Sequence, residues 1–363
     1  MRYIILFIIA ILLPVFAFLN FTQDKPGTFN FTDNKKSADK TAAISFTGTD
    51  KEPESNDIDL VSEVEGQKQV YKIPQIQYTE PTNFPLASII GQSYLEGFRS
   101  PNFFPIRNWD VKIENADAAS TLVIEPVTQK ALHYKNIFDI RPIASLTKLM
   151  TALVVITEMN LQDEITVSGA AVATYGDQGG LAPEEVLSVE NLLHILLIES
   201  SNDAAIALEE YYNAYRTEQD KTFVAAMNAK AQELGLLDTF FVEPSGLNVN
   251  NRSTAYDLAS LADYVFQRPI LRQIMSTQVI DIQSVDGVIN HHLVNSNTLL
   301  GVLKGVLAGK TGYTEEAGES LILFVKKSEN IDDYLIYVIL DSADRVKAAR
   351  HLIDWADRAY IWE

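Results

Sequence analysis

Ser145 and Lys148 are the pair of residues whose types and spacing most directly suggest covalent chemistry. They begin a stretch, Leu146 to Met159, with apolar residues at helical spacing, and residues three apart on a helix share a face. A serine hydroxyl is a weak nucleophile until a base takes its proton, and a lysine can be that base when burial and nearby cations lower its pKa. The N–H groups of a helix N-terminus would also stabilise an oxyanion.

A serine followed three residues later by a lysine is common by chance, and two further groups make the signal more specific. Ser200-Ser-Asn202 follows the strongly apolar run Leu192 to Ile198, which predicts a buried helix end opening into a polar loop at a cleft. Gly309-Lys-Thr-Gly312 follows the apolar stretch Leu299 to Leu307. On an edge strand, that lysine and hydroxyl would offer a cation and a donor to a carboxylate, and the glycines would leave space for it.

Motif spacing and composition exclude several ligand classes. Gly305 precedes Gly309-Lys-Thr with one residue too few for a phosphate-binding loop. The 363 residues carry a net charge of −19, whereas a nucleic-acid binder needs a basic face. The chain has no cysteine, and its histidines show no metal-ligand spacing. We therefore expect no metal, no cofactor and no nucleic-acid partner.

The elements that position these residues follow from apolar patterning. Strands at both ends of the region and helices between them predict an α/β fold, with an antiparallel sheet built from both ends of the chain. The predicted elements are the strand Thr121–Ile124 with its hairpin partner Lys130–Tyr134, a helix over Val189–Tyr212 capped by Ser188, the strands Ser320–Lys327 and Tyr334–Leu340, and a helix over Arg345–Tyr360.

The chain divides into three regions. Residues 1–21 hold Arg2 and an apolar run to Leu19, which predicts export through a signal peptide or a retained N-terminal membrane anchor. Residues 22–107 begin with a polar, acidic tract and are predicted to be a flexible linker with a transitional segment. Residues 108–363 are predicted to form one catalytic domain. The exported protein is expected in the cell envelope, either in the periplasm or on the extracytoplasmic face of the cytoplasmic membrane.

The order S-x-x-K, S-x-N, K-T-G is shared by penicillin-binding proteins and class A β-lactamases. From about Ala119 to Trp355, the sequence resembles the low-molecular-mass penicillin-binding proteins, the serine-type D-alanyl-D-alanine carboxypeptidases of the peptidase S11 type. This resemblance implies a β-lactamase/transpeptidase-like fold, an antiparallel sheet flanked by helices plus an all-helical subdomain. It also implies that residues 108–363 form a D,D-peptidase catalytic domain. The matching segments are Arg141–Ala152, Ser201–Ala205, Pro244–Asn248, Ser253–Ala259 and Lys310–Thr314.

The resemblance also implies roles for the motif residues in catalysis. Ser145 matches the nucleophile that becomes acylated, and Lys148 matches the base that activates it. Ser200 matches the residue that passes a proton to the leaving D-alanine, and Lys310 would tune that residue.

A second set of roles concerns substrate binding. Asn202 matches the residue that bonds the substrate peptide. Thr311 and Arg345 match groups that bind the terminal carboxylate. The backbone N–H groups of Ser145 and Tyr313 would form the oxyanion hole.

The expected activity is removal of the terminal D-alanine from peptidoglycan stem peptides, with β-lactam antibiotics as covalent inhibitors. Cleavage of D,D-crosslinks and hydrolysis of β-lactams remain open as alternatives. Glu243 superficially echoes the deacylating glutamate of β-lactamases, but we interpret it as a structural loop carboxylate. If the N-terminal segment is not cleaved, the membrane is a further partner.

Overall fold

In the computed structural model, residues 105–361 are described apart from 114–115, 177–178, 216–221, 329 and 331. Residues 1–79 form a separate unit. There only the backbone of four strands is described: β1 (Phe29–Asn30), β2 (Ala43–Ile44), β3 (Asp57–Val64) and β4 (Gln67–Pro74). β1 pairs with β2, and β3 with β4, both antiparallel.

The predicted leader over residues 1–21 lies outside the described residues, as does most of the predicted linker over 22–107. β3 and β4 fall within that linker range, where the alternating sequence of β3 is a strand pattern that the composition argument overlooked. No helix in the described part of the chain has both the length and the apolar character needed to cross a membrane.

The second unit contains the remaining strands and the helices. Its strands are β5 (Ile106–Arg107), β6 (Ala118–Glu125), β7 (Lys130–Lys135), β8 (Arg141–Pro142), β9 (Glu164–Thr166), β10 (Val186–Ser188), β11 (Arg252–Ser253), β12 (Val279–Gln283), β13 (Asn290–Val294), β14 (Val306–Thr314), β15 (Gly318–Lys326), β16 (Tyr334–Ser342) and β17 (Tyr360–Ile361). Its helices are α1 (Lys148–Glu158), α2 (Gly169–Val172), α3 (Val189–Ile198), α4 (Asn202–Tyr215), α5 (Phe223–Glu233), α6 (Ala255–Phe266), α7 (Pro269–Ser276) and α8 (Arg345–Ala359).

Within the described residues, the main sheet has five antiparallel strands in the order β14-β15-β16-β6-β7. The predicted sheet from both ends of the chain is therefore confirmed. β14, which carries the Lys-Thr-Gly motif, lies at one edge, as the sequence predicts. β5 pairs with β17, so the paired structure begins slightly before the predicted boundary at residue 108.

Both faces of the sheet are buried, which explains why β15 and β16 read as continuous apolar runs. Ile322 and Phe324 point to one face and pack with the helical layer of α1, α3, α4, α6 and α7. Leu321 and Leu323, one residue out of phase, point to the other face and pack with α8, whose Trp355 is fully buried. This layering confirms the α/β fold with helices on both sides of the sheet.

The single helix predicted over Val189–Tyr212 is instead two helices, α3 and α4. Ser188 caps α3 as predicted, because its hydroxyl accepts a bond from the N–H of Asn191. The break occurs at Ser200, whose φ of 69° lies in the left-handed region. That conformation ends a helix. It confirms the helix end predicted from the polar group Ser200-Ser-Asn202, which apolar periodicity alone does not reveal.

Candidate active site

Ser145 lies in a short 3-10 turn, Ala144–Thr147, that leads directly into α1. Its neighbours Ala144 and Leu146 are buried, whereas Ser145 itself is half-buried. The turn is thus anchored in the core on either side of the serine. Gly312 of β14 packs against it: a Cβ on Gly312 would lie 3.2 Å from the nitrogen of Ser145.

Lys148 is fully buried and forms the centre of the site. Its Nζ donates to Ser145 Oγ at 2.9 Å, to Asn202 Oδ1 at 2.7 Å and to the backbone oxygen of Ser245 at 2.5 Å. Burial lowers the pKa of Lys148 to about 7, and the charges of Glu243 and Asp203 oppose only part of that effect. An amine with this pKa is neutral in a large fraction of molecules at neutral pH and can accept a proton.

Ser200 and Lys310 form the second hydroxyl–amine pair. Lys310 Nζ donates to Ser200 Oγ at 2.7 Å and to the backbone oxygen of Thr311 at 3.0 Å. Burial, together with the charges of Lys148 and Arg345, holds the pKa of Lys310 well below its ordinary value. Two buried amines, each bonded to a serine, therefore lie close enough for their charges to interact.

The residues that follow α2 contact the side chain of Asn202. The side-chain nitrogen of Asn202 donates to the backbone oxygen of Tyr175 at 2.9 Å, and a Cβ on Gly176 would lie 2.8 Å from the same nitrogen. Just before β10, the buried carboxylate of Glu185 is bonded at 2.6 Å to the buried side chain of His291 from β13. This contact gives His291 a structural role in holding the segment between α2 and β10.

The substrate-facing residues predicted on β14 and α8 adjoin the serine turn. Thr311 Oγ1 is bonded to Ser296 Oγ at 2.9 Å, and the side chain of Tyr313 is largely exposed. Arg345 begins α8, and its guanidinium donates to the backbone oxygen of Gly312 at 3.0 Å. Direct contacts or shared segments thus bring every predicted site residue into one region.

Two features of the site were not anticipated from the sequence. Ser296 follows β13 and contacts Thr311, and its only sequence signal is a polar triplet, Asn295-Ser-Asn297, between apolar segments. The loop over residues 243–251 supplies the third contact of Lys148 through Ser245. In the described part of the chain, no three His, Asp or Glu side chains are grouped so as to hold a metal ion.

The fold is that of the penicillin-binding D,D-peptidases. The Streptomyces K15 DD-transpeptidase superposes with a TM-score of 0.63 at 27% identity, over 68% of this chain and 100% of that one. A D-alanyl-D-alanine carboxypeptidase from Mycobacterium tuberculosis gives 0.62 at 26% identity, over 71% of this chain and 98% of that one.

Sequence comparison leads to the same group. The profile of the D-alanyl-D-alanine carboxypeptidase family, peptidase S11, matches residues 108–344. The chain belongs to this family. It is 31% identical to the D-alanyl-D-alanine carboxypeptidase DacF of Bacillus subtilis, over 67% of this chain and 63% of that protein. It is 33% identical to a D-alanyl-D-alanine endopeptidase of Pseudomonas aeruginosa, over 57% of this chain and 66% of that protein. The matches thus span just under two thirds of these relatives' lengths.

Proposed function

We propose that this protein is a serine D,D-carboxypeptidase that removes the terminal D-alanine from peptidoglycan stem peptides through an acyl-enzyme on Ser145. The observation that carries the proposal is the 2.9 Å contact between Ser145 Oγ and the buried Nζ of Lys148, whose pKa is lowered to about 7. A nucleophile and a base within hydrogen-bond reach are the minimum equipment for acyl transfer.

In the acylation step, neutral Lys148 accepts the proton of Ser145 while Oγ attacks the carbonyl carbon of the penultimate D-alanine. The resulting oxyanion is stabilised by the N–H groups of Ser145 and Tyr313, which the packing of Gly312 on the serine turn supports. The C–N bond then breaks, and Ser200, beside Lys310, gives its proton to the leaving D-alanine amine. Ser200 in turn takes up the proton that Lys148 accepted from Ser145, which leaves Lys148 neutral. Water hydrolyses the remaining ester with Lys148 again as base.

Substrate recognition is assigned to the edge strand and its neighbours. Thr311 and Arg345 bind the terminal carboxylate. Asn202 bonds the peptide backbone from the opposite side of the cleft. The substrates lie outside the cytoplasm, so the protein acts in the cell envelope, and β-lactams acylate the same serine. An uncleaved N-terminal segment would bind it to the membrane.

Mass spectrometry after incubation with benzylpenicillin tests the chemistry, and a stem peptide ending in D-Ala-D-Ala tests the activity. We expect one stable penicilloyl group on Ser145, release of free D-alanine from the peptide, and neither result with Ser145→Ala. A label on another residue would refute the assignment of the nucleophile. Rapid release of hydrolysed penicillin would instead identify a β-lactamase.

The endopeptidase activity is the second candidate, because relatives with that name are as similar as those named carboxypeptidases. A soluble crosslinked stem-peptide dimer, supplied alongside the monomer, separates the two. Faster cleavage of the crosslink than of the terminal D-alanine would favour the endopeptidase.

The pH dependence of acylation should follow the protonation of Lys148. The base must be neutral, and its pKa is about 7, so lowering the pH below 7 converts it to the inactive ammonium form. We expect the acylation rate to fall about tenfold per pH unit below that value and to level off above it. Stopped-flow acylation with a fluorescent penicillin between pH 5 and 9 measures the profile. A rate that is flat from pH 5 to 7 would contradict the assignment of Lys148 as the base.

Replacing Arg345 should change the preference for a free carboxylate. Loss of one charge-assisted hydrogen bond costs about 1.5–3 kcal/mol, or roughly ten- to a hundredfold in rate. We expect Arg345→Ala to lose that factor in kcat/KM on the free-acid peptide and little on the same peptide with an amidated C-terminus. Arg350→Ala, an exposed arginine on the same helix, is the control. Equal losses on both peptides would mean that Arg345 acts only through its bond to Gly312.

A further inference from the structure

The segment over residues 243–251, which we call the Glu243 loop, is bonded closely to the serine turn and α1. The loop lies between α5 and β11 and has no regular secondary structure. Three hydrogen bonds join it to the turn and the helix: Thr151 Oγ1 to Pro244 O at 2.6 Å, Lys148 Nζ to Ser245 O at 2.5 Å, and Asn251 Nδ2 to Thr147 Oγ1 at 3.2 Å. A fourth joins it to the residue before the turn, from Ile143 N to Asn251 O at 3.2 Å. The position of Lys148 therefore depends on the shape of this loop.

The carboxylate of Glu243 sets that shape. One of its oxygens accepts bonds from the N–H of Ser245 at 2.7 Å and from the Ser245 hydroxyl at 2.5 Å. The other accepts from the N–H of Gly246 at 2.7 Å, from the N–H of Asn248 at 3.2 Å and from the side chain of Asn251 at 2.6 Å. Ser245 and Gly246 are buried, so their N–H groups would otherwise lack partners at considerable cost.

We propose that Glu243 is a positioning residue for catalysis: it folds the loop so that the backbone oxygen of Ser245 holds Lys148 Nζ against Ser145 Oγ. This inference rests on the proposed function, because it assigns Glu243 a purpose only if Lys148 is the base. Glu243 acts through Ser245 and Lys148 and does not itself meet the substrate.

A glutamate in this loop could also activate the water that hydrolyses the acyl-enzyme. The hydrogen bonds of Glu243 argue against that role. An ionised carboxylate has about four lone-pair sites, and Glu243 already receives five donors from its own loop. No acceptor site is left to take a proton from water. The acyl-enzyme formed with penicillin is therefore expected to be long-lived.

The charge of Glu243 has a second effect on Lys148. It raises the pKa of the lysine against the larger, lowering effect of burial, and Asp203 at the start of α4 acts in the same direction. On β14, Lys310 is the neighbouring amine, and the charge of Lys148 lowers the pKa of Lys310. Removing the charge of Glu243 while keeping its size should consequently lower the pKa of Lys148 further.

Two substitutions separate the geometric effect from the effect of charge. Glu243→Gln keeps the length but loses the charge and presents an amide donor to N–H groups. Glu243→Asp keeps the charge but is one methylene too short to reach all five donors. The limiting acylation rate, the apparent binding constant for a fluorescent penicillin and the pH midpoint of acylation are measured for each variant and for the wild-type protein. Deacylation is followed separately.

We expect both variants to lose tenfold or more in the limiting acylation rate, with little change in the binding constant. The pH midpoint should move below 7 in Glu243→Gln and stay in place in Glu243→Asp. The control is Glu209→Gln, since Glu209 couples electrostatically to Glu243 but does not act on the pKa of Lys148. It should acylate within twofold of wild type at an unchanged midpoint.

The outcomes distinguish failure of the inference from failure of the proposed function. If the wild-type protein is not labelled on Ser145, the proposed function fails. If it is labelled, wild-type acylation in either Glu243 variant overturns the inference, and so does a loss confined to binding or to deacylation. Should Glu243→Gln not fold, as judged by circular dichroism, Glu243→Asp decides by its limiting rate.

Discussion

Replacing Lys148 by methionine is expected to slow acylation of Ser145 by about 10²–10⁴-fold, the range attributed to a positioned general base. Methionine matches lysine in length and suits a fully buried position, but it cannot accept the serine proton. Lys148→Arg should fail as well, because a guanidinium does not deprotonate in proteins. Burst kinetics with a fluorescent penicillin measure the loss.

The Lys148 variants must remain folded for that result to be meaningful. Methionine leaves the oxygens of Asn202 and Ser245 without their donor, which should cost about 1–3 kcal/mol each in the free energy of unfolding. Thermal unfolding is therefore measured in parallel, and Lys304→Met, at an exposed position, is the control. A folded Lys148→Met protein that acylates within tenfold of wild type would show that another group is the base.

Among substitutions that add a single methyl group, Gly246→Ala should cause the largest loss of stability and of acylation rate. Gly246 has a φ of 92°, and a Cβ there would lie 2.0 Å from the backbone oxygen of Ala144 and 2.8 Å from the nitrogen of Ser145. The strained backbone costs about 1–3 kcal/mol in stability. The clash is relieved only if the serine turn moves, and a displacement of about 1 Å lowers the rate by about 10²-fold.

Gly287 offers a matched control for the backbone strain. It has a φ of 72°, but no heavy atom beyond Gly287 and its two chain neighbours lies within 4 Å of the position its Cβ would take. Gly287→Ala should lose stability to a similar degree and keep its acylation rate, as measured by chemical denaturation and fluorescent-penicillin kinetics. If Gly246→Ala keeps its rate too, the packing of the loop on the serine turn has no bearing on reactivity.

The sequence predicts the parts of this site that are local in the chain. The three-residue spacing of Ser145 and Lys148 and the place of Lys310 on an edge strand follow from periodicity and motif chemistry, and the structure has both arrangements. The change from the apolar run to Ser200-Ser-Asn202 predicts the end of a helix there, and the structure has that end. The apolar periodicity continues to Tyr212 and shows no break, because a serine in the left-handed region leaves no mark in an apolar pattern. The prediction of a single helix there is wrong for that reason.

The contacts between segments distant in the chain also could not be predicted from the sequence. The bonds from Lys148 to Ser245 and from Thr311 to Ser296 depend on loops whose course is set by tertiary packing. A serine or a backbone oxygen in a loop has no distinctive spacing, so residue types alone do not predict these contacts, although Ser245 lies in the matching segment Pro244–Asn248. The fold class, in contrast, needs only the order of strands and helices and could be predicted.

The order of strands in the main sheet affects how fast the protein folds. β16 pairs with β6, a strand that precedes it by about 200 positions, and such long-range pairing makes folding slow. Until β16 has been synthesised, the edge of β6 that faces away from β7 has no partner strand. Such unpaired edges promote aggregation and are what chaperones bind. A fragment that ends just before Tyr334 should therefore accumulate as a chaperone client, even though it contains every motif through Lys310.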